Sequence, residues 1–272
     1  MKGVISLFLI VACCFYGTAQ KAGMQGSSMN YGEECVYDVH FKWGLWSARA
    51  GEAVFTYNRD NMVADAASRY HMLFKTTKFL DGFFKMRDTL STYYNKNNEL
   101  IYSAKHSDEG SYYSIDLMKF EKEGSRTVIH SVRDVPPRRK IDTILIATDE
   151  VTDLLGVIYH MRGINRSSLN SGDIIPLTVA IGKDLVSVQF IYQNQSIVER
   201  GNIKYNTLYF KIDIFDEAFE SMKTAAEVWI GNDNNFIPIK VRSKLKIGYA
   251  EIFYKSSSKL PHPLDCSIEI KK

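Results

Sequence analysis

Val186, Val188, Phe190 and Tyr192 alternate with Ser187, Gln189 and Ile191. Leu208, Phe210, Ile212 and Ile214 repeat the pattern, and Ala226, Val228 and Ile230 repeat it again. An alternation of period two sends successive side chains to opposite faces of an extended strand. Segments of this kind recur from Cys35 to Ile270, about fourteen in all by pattern. Between them lie turn clusters such as Asn58-Arg59-Asp60-Asn61, Asn95-Lys96-Asn97-Asn98 and Asp108-Glu109-Gly110. One stretch departs from the pattern. From Asp149 to Arg162, Val151, Leu154, Leu155, Ile158 and Tyr159 fall on one stripe at helical period. Asp149, Glu150 and Asp153 come early and His160 and Arg162 late, which suits the helix dipole. Residues 133–147, broken by Pro136-Pro137, read as a long connection into that helix.

With no alternation of strands and helices, a parallel sheet is not expected. So many strands in one sheet must curl or close on themselves. The chain is therefore expected to be mainly β, a large antiparallel β-barrel or half-barrel with one central helix, 149–162, packed against it. The alternative is two consecutive small β domains joined by the helix.

The first nineteen residues read as an address rather than as fold. Lys2 precedes the apolar run Val4–Val11, and Gly17-Thr18-Ala19 supplies small residues before Gln20. This is the pattern of a secretory signal peptide, too short for a membrane span, and no later stretch is apolar enough to be a transmembrane segment. A lipoprotein anchored through Cys13 is the alternative, because Ile10-Val11-Ala12-Cys13 resembles a lipoprotein cleavage box. Residues 20–33, rich in Gly, Ser, Gln and Met, read as a flexible leader, and 34–272 as a single antiparallel β domain. The formal net charge of +3 falls to +2 with Lys2 removed, a near balance that offers no field for nucleic acid. The one dense basic cluster, Arg138-Arg139-Lys140, reads as a solvated loop, with an anionic ligand or lipid headgroup as its functional alternative.

Two of the four cysteines, Cys13 and Cys14, lie in the address segment. Cys35 and Cys266 remain, each on the apolar face of an expected strand near one end of the chain. In an oxidising compartment they are candidates for a disulfide, and otherwise they are two buried thiols behaving as small hydrophobes. Neither has a spacing suited to zinc. The six histidines stand singly. Motifs of metalloproteases, serine hydrolases, nucleotide-binding loops and dinucleotide folds are missing, so no catalytic residue, cofactor or metal is expected. Asp213 with Asp216, or Glu217 with Glu220, are acid pairs of the kind glycosidases use, with nothing in the sequence to place them in a cleft. Asn232-Asp233-Asn234-Asn235 offers oxygen ligands but lacks the calcium-loop spacing, so it reads as a hairpin turn.

Asp153-Leu154-Leu155-Gly156-Val157-Ile158-Tyr159-His160-Met161-Arg162 resembles the helix signature of an exported bacterial family catalogued as domain of unknown function 3108. Trp229-Ile230-Gly231-Asn232-Asp233, then Ile237-Pro238-Ile239 and Gly248, resembles that family's closing hairpin, and the opening Glu34-Cys35-Val36-Tyr37-Asp38-Val39 also fits. The resemblance spans about residues 33–255 and implies export, with no established activity to carry over. The Ala19-Gln20 cleavage site suggests a Bacteroidetes-like source. Asp153, Tyr159, Arg162 and Trp229 are the binding candidates that the signatures mark, and structural anchoring of a neighbouring strand is the competing role for each.

Together these features lead to an exported periplasmic or envelope protein, non-enzymatic, binding an apolar or amphipathic ligand such as a lipid or glycan. A structural or interaction module in envelope assembly, with an envelope protein as partner, is the alternative. An envelope-glycan hydrolase is the third reading.

Overall fold

A computed structural model describes residues 29–270 except 45, 61, 216–223 and 246–247. The expected signal peptide, Cys13, leader residues 20–28, and Asp216, Glu217 and Glu220 lie outside the described residues.

Sixteen strands form one sheet: β1 (Glu33–Trp43), β2 (Trp46–Arg59), β3 (Ser68–Thr76), β4 (Arg87–Tyr94), β5 (Leu100–Glu109), β6 (Tyr112–Glu123), β7 (Arg126–Val135), β8 (Arg138–Ala147), β9 (Val151–Thr152), β10 (Ile174–Ile181), β11 (Asp184–Arg200), β12 (Ile203–Phe215), β13 (Ala226–Gly231), β14 (Pro238–Lys244), β15 (Tyr249–Ser258) and β16 (Ser267–Glu269). The path runs β8-β7-β6-β5-β4-β3-β2-β1-β15-β14-β13-β12-β11-β10-β9, with β16 paired to β12. Two meanders therefore meet at β1 and β15, whose antiparallel register runs from Glu34↔Ser258 to Lys42↔Tyr249. That ladder makes one sheet of both halves and sets aside two separate β domains.

The sheet curls into a nearly closed barrel. Its two ends meet through side chains: Met118 and Phe120 of β6 and Ile129 of β7 pack with Ala180 of β10. Ser131 Oγ in β7 also donates to the Gly182 carbonyl in the β10–β11 turn. Residues in register on neighbouring strands share a face, so the ladders identify what points inward. On β10 to β13 the inward set is apolar: Val179, Val186, Val188, Phe190, Ile212, Ile214, Val228 and Ile230 form one buried cluster. On β4 to β7 it includes a polar patch beside apolar residues such as Met118 and Phe120. Thr92 faces Ser103, Lys105 faces Asp116, Asp116 faces Arg133, and Ser107 faces Ser114.

Three expectations need correction. The helix expected over 149–162 is only six residues long, Gly156–Met161 (α2). Val151 and Thr152, both β-branched, instead add a short parallel strand to β10, and Asp153 uses its carboxylate to accept from Gly156 N at 2.7 Å, starting the helix late. The apolar stripe is still buried, but across separate clusters: Val151 at the barrel seam, Leu154 against the apolar wall, and Leu155 with Tyr57 and Tyr70. The other described α-helix, α1 (Lys78–Asp81), spans four residues, so helix is a minor component. Second, residues 133–147 are not a connection. β7 runs to Val135, Pro136-Pro137 makes the turn, and Arg138-Arg139-Lys140 opens β8. Third, the leader yields to β1 at Glu33, which is buried.

Candidate functional site

A cavity of about 440 Å³ lies inside the barrel. Its floor is the segment that carries the family signature: Leu154, Leu155, Val157, Ile158 and Met161 line it, with Tyr37 and Tyr70. One side is the apolar wall of Val186, Phe190, Ile212, Ile214, Val228 and Ile230. The opposite side presents Ser103, Lys105, Asp116 and Arg133, and the β10–β11 turn adds Lys183 and Asp184. Lys183 is exposed and lines the cavity, so the space reaches the surface at that turn. A chamber of a few hundred Å³ with apolar lining and a few polar groups has the dimensions of a small-ligand site.

The floor is pinned by charges. Arg162, the C-cap of α2, is 2% exposed at its side chain and paired with Glu33 at the start of β1, 3% exposed. Arg162 Nη2 donates to Glu33 Oε2 at 3.2 Å, Nη1 donates to Oε1, and Nε donates to the Asn235 carbonyl at 3.0 Å. Burial works against the guanidinium's charge, but the Glu33 carboxylate outweighs it and holds the Arg162 pKa up. Arg162 thus ties α2 to β1 and to the β13–β14 turn.

Asp153 lines the cavity from beneath. Its carboxylate accepts from Thr92 Oγ1 at 2.6 Å and from Gly156 N at 2.7 Å. Complete burial raises its pKa from 3.8 to about 6, against the lowering effect of those hydrogen bonds. Tyr159 stacks on Tyr94 with ring centroids 4.5 Å apart. Trp229 is elsewhere, on the face of β13 opposite Val228 and Ile230, stacked on Tyr209 at 4.9 Å beneath Lys240 Nζ at 4.7 Å. The four candidates therefore do not converge. Asp153, Tyr159 and Arg162 share the floor segment and are each engaged within the protein, while Trp229 is outside the barrel.

Cys35 and Cys266 are buried free thiols. Burial and the neighbouring Glu33 push the Cys35 thiol up to about 12, far from a reactive thiolate. In the 232–235 turn, Asp233 Oδ1 accepts from the backbone N of Asn235 at 2.9 Å and of Phe236 at 3.3 Å, and Oδ2 accepts from Cys266 N at 3.2 Å. That carboxylate is occupied as a turn-former. Among the described residues no three His, Cys, Asp or Glu side chains are placed to hold a metal.

The residues the sequence did not mark are Lys105, Asp116, Arg133 and Lys183. The available signal was polar residues at alternate positions, Ser103-x-Lys105-x-Ser107 and Ser114-x-Asp116. It does not say which face is inward, because the neighbouring Tyr102, Ile115 and Leu117 are equally apolar candidates for the inside.

Fold and cavity together define a β-barrel-like protein with a chambered interior. The family model described as "Protein of unknown function (DUF3108)" matches residues 36–254, and the chain belongs to that family. No curated protein matches the chain. Among solved structures it is similar to a beta-barrel-like protein of domain of unknown function DUF1849 from Brucella abortus, with a TM-score of 0.56 and 10% identity, over 85% of this chain and 99% of that one. That likeness is one of fold.

Proposed function

We propose that this protein is a non-enzymatic carrier or receptor of the bacterial envelope that holds an amphipathic ligand in its barrel. The observation that carries the reading is the cavity itself, with an apolar wall facing a polar one. A barrel packed only for stability fills its inside with side chains. The outside supports a barrel standing in water rather than in lipid: Glu52, Lys75 and Lys255 pair there, as do Lys119 and Glu121, charges that a lipid-facing barrel band would not bear. Export to the periplasm rests on the address segment of the sequence.

The test is titration with the neutral apolar fluorophore N-phenyl-1-naphthylamine. Saturable binding at one site per chain is expected, with loss in Ala226→Trp, which puts an indole into the cavity beside Val228. Circular dichroism confirms that this variant is folded. Undiminished binding to the folded variant would place the fluorophore elsewhere and count against the reading.

A second reading, an interaction module, draws on one observation. Ile144 and Ile146 are 55% and 52% exposed on β8, the terminal strand of the path. Crosslinking from either position to a second envelope protein in intact cells would favour it, and crosslinks absent from both would remove it.

A further inference from the structure

Apart from Asp153 in the floor, the charged side chains that line the cavity gather at one end, three cations (Lys105, Arg133 and Lys183) against two carboxylates (Asp116 and Asp184). Lys105, Asp116 and Arg133 form a row across β5, β6 and β7, since Lys105 registers with Asp116 and Asp116 with Arg133. Arg133 is ion-paired with Asp116. One carboxylate between two cations leaves one positive charge over, and it falls to Lys105, which has no ion-pair partner among the described residues. Carboxyl groups do lie near it. Asp88 and Glu109 face the same region of β4 and β5, but both are buried and neither lines the cavity.

The rim carries one charge of each sign: Lys183 and Asp184 sit across the mouth, and neither forms an ion pair with another residue among those described. Gly182 in that turn would place a Cβ 3.5 Å from Arg133 Nη2, so the turn and the row meet. The β7–β8 hairpin, which begins two residues beyond Arg133, carries Arg138-Arg139-Lys140. Arg139 is held by Asp134 and Asp142, while Arg138 and Lys140 are exposed and unpaired among the described residues. The basic cluster that the sequence places in a loop therefore opens β8 and does not line the chamber. At the other end, Leu155, Val157 and Met161 offer a floor of buried aliphatic side chains.

We infer that the ligand is a single-chain anionic amphiphile, bound with its carboxylate or phosphate head at Lys105, Arg133 and Lys183 and its hydrocarbon tail directed at the α2 floor. This rests on the binding reading above and adds to it the sign of the head and the direction of entry. A carboxylate and a phosphate monoester share the chemistry that lysine and arginine recognise, and the test carries both.

The experiment is calorimetric titration with a chain-matched series below micellar concentration: dodecanoate, dodecyl phosphate, dodecanol and dodecyltrimethylammonium. The two anions are expected to bind at least about tenfold tighter than the alcohol, and the cation more weakly than the alcohol. The anion advantage should shrink when ionic strength rises from about 0.01 M to about 1 M, because the mouth is open to solvent. Lys105→Met and Lys183→Met should each remove most of the advantage, read as the ratio of anion to dodecanol affinity within the variant. Lys119→Met, on the outside of β6, should change neither. A preference for dodecanoate over dodecyl phosphate, or the reverse, identifies the head. Equal affinity for all four heads, tighter binding of the cation, or an anion advantage kept in both mouth variants would overturn the inference while leaving a binding barrel. Binding of none of the four would overturn the binding reading as well.

Discussion

Replacing Arg162 by methionine separates an anchor from a ligand contact. The side chain is 2% exposed, and all three of its donor nitrogens are used inside the protein, on both Glu33 oxygens and on the Asn235 carbonyl. Methionine fills much of the same volume and removes the charge. It leaves a buried carboxylate without its partner, a change that costs about 3–5 kcal/mol in comparable sites. For a chain of this size about 1 kcal/mol moves the melting temperature by roughly 2–4 °C, so R162M should melt roughly 6–20 °C below the native protein. Thermal denaturation by circular dichroism at neutral pH reads this directly. Glu33→Gln alone should also destabilise, and the double variant should lose clearly less than the sum of the two, because the second change removes a charge already stranded. A native-like melting temperature for R162M, or strict additivity in the cycle, would refute the anchoring role. In that case Arg162 would be free to serve a ligand.

Other perturbations act on the same floor. Leu155→Asp puts a carboxylate among Tyr57 and Tyr70 at a position 2% exposed and should unfold the protein, at a cost of several kcal/mol. A cooperative melt near the native temperature would show that Leu155 is not core. Gly156→Ala should cost about 1–3 kcal/mol, because its Cβ would lie 2.7 Å from Asp153 Oδ1 and 3.0 Å from Tyr94 Oη; a melt unchanged in temperature would show that the floor has slack. Asp153 predicts a pH dependence. Its pKa is raised on folding from 3.8 to about 6, so its contribution to stability is complete below about pH 4, declines as pH rises through 6 and is then level. The gap corresponds to about 3 kcal/mol. Asp153→Asn keeps an acceptor and abolishes this titration, so urea denaturation from pH 4 to pH 7 should show native and variant diverging across that window. Parallel curves would mean that Asp153 is not buried as a carboxyl.

The architecture was readable because period two persists through both halves, and turn residues mark most of the hairpins. The family signature was readable too, and it spans the matched region. The helix was misread because a stripe at i, i+3 and i+4 reports burial rather than backbone conformation. Val151 through Tyr159 are indeed largely buried or half-buried, but Asp153 caps Gly156 and leaves the residues before it to pair with β10. β8 was missed because Pro136-Pro137 reads as a breaker, whereas between two strands it serves as the turn itself. The cavity was the least legible part. In a strand such as β6, Ser114, Asp116, Met118 and Phe120 face in while Ile115 and Leu117 face out, so alternation reveals two faces without telling which is inside. Only the closure of the sheet, which brings β7 to the β10–β11 turn, turns the polar face inward and sets Arg133 beside Gly182. Arg162 and Asp153 are marked by the signature, but the partners that engage them, Glu33 and Thr92, are 129 and 61 residues away in sequence.

The central claim, that the barrel interior is a ligand chamber, is tested most directly by native mass spectrometry of the protein isolated without detergent from the cells that make it. The account predicts a mass above that of the protein alone by one small amphiphile, lost on extraction with organic solvent and regained when the extract is returned. A protein that leaves its own cells at the mass of the bare chain, and takes up nothing from a lipid extract of those cells, would contradict it.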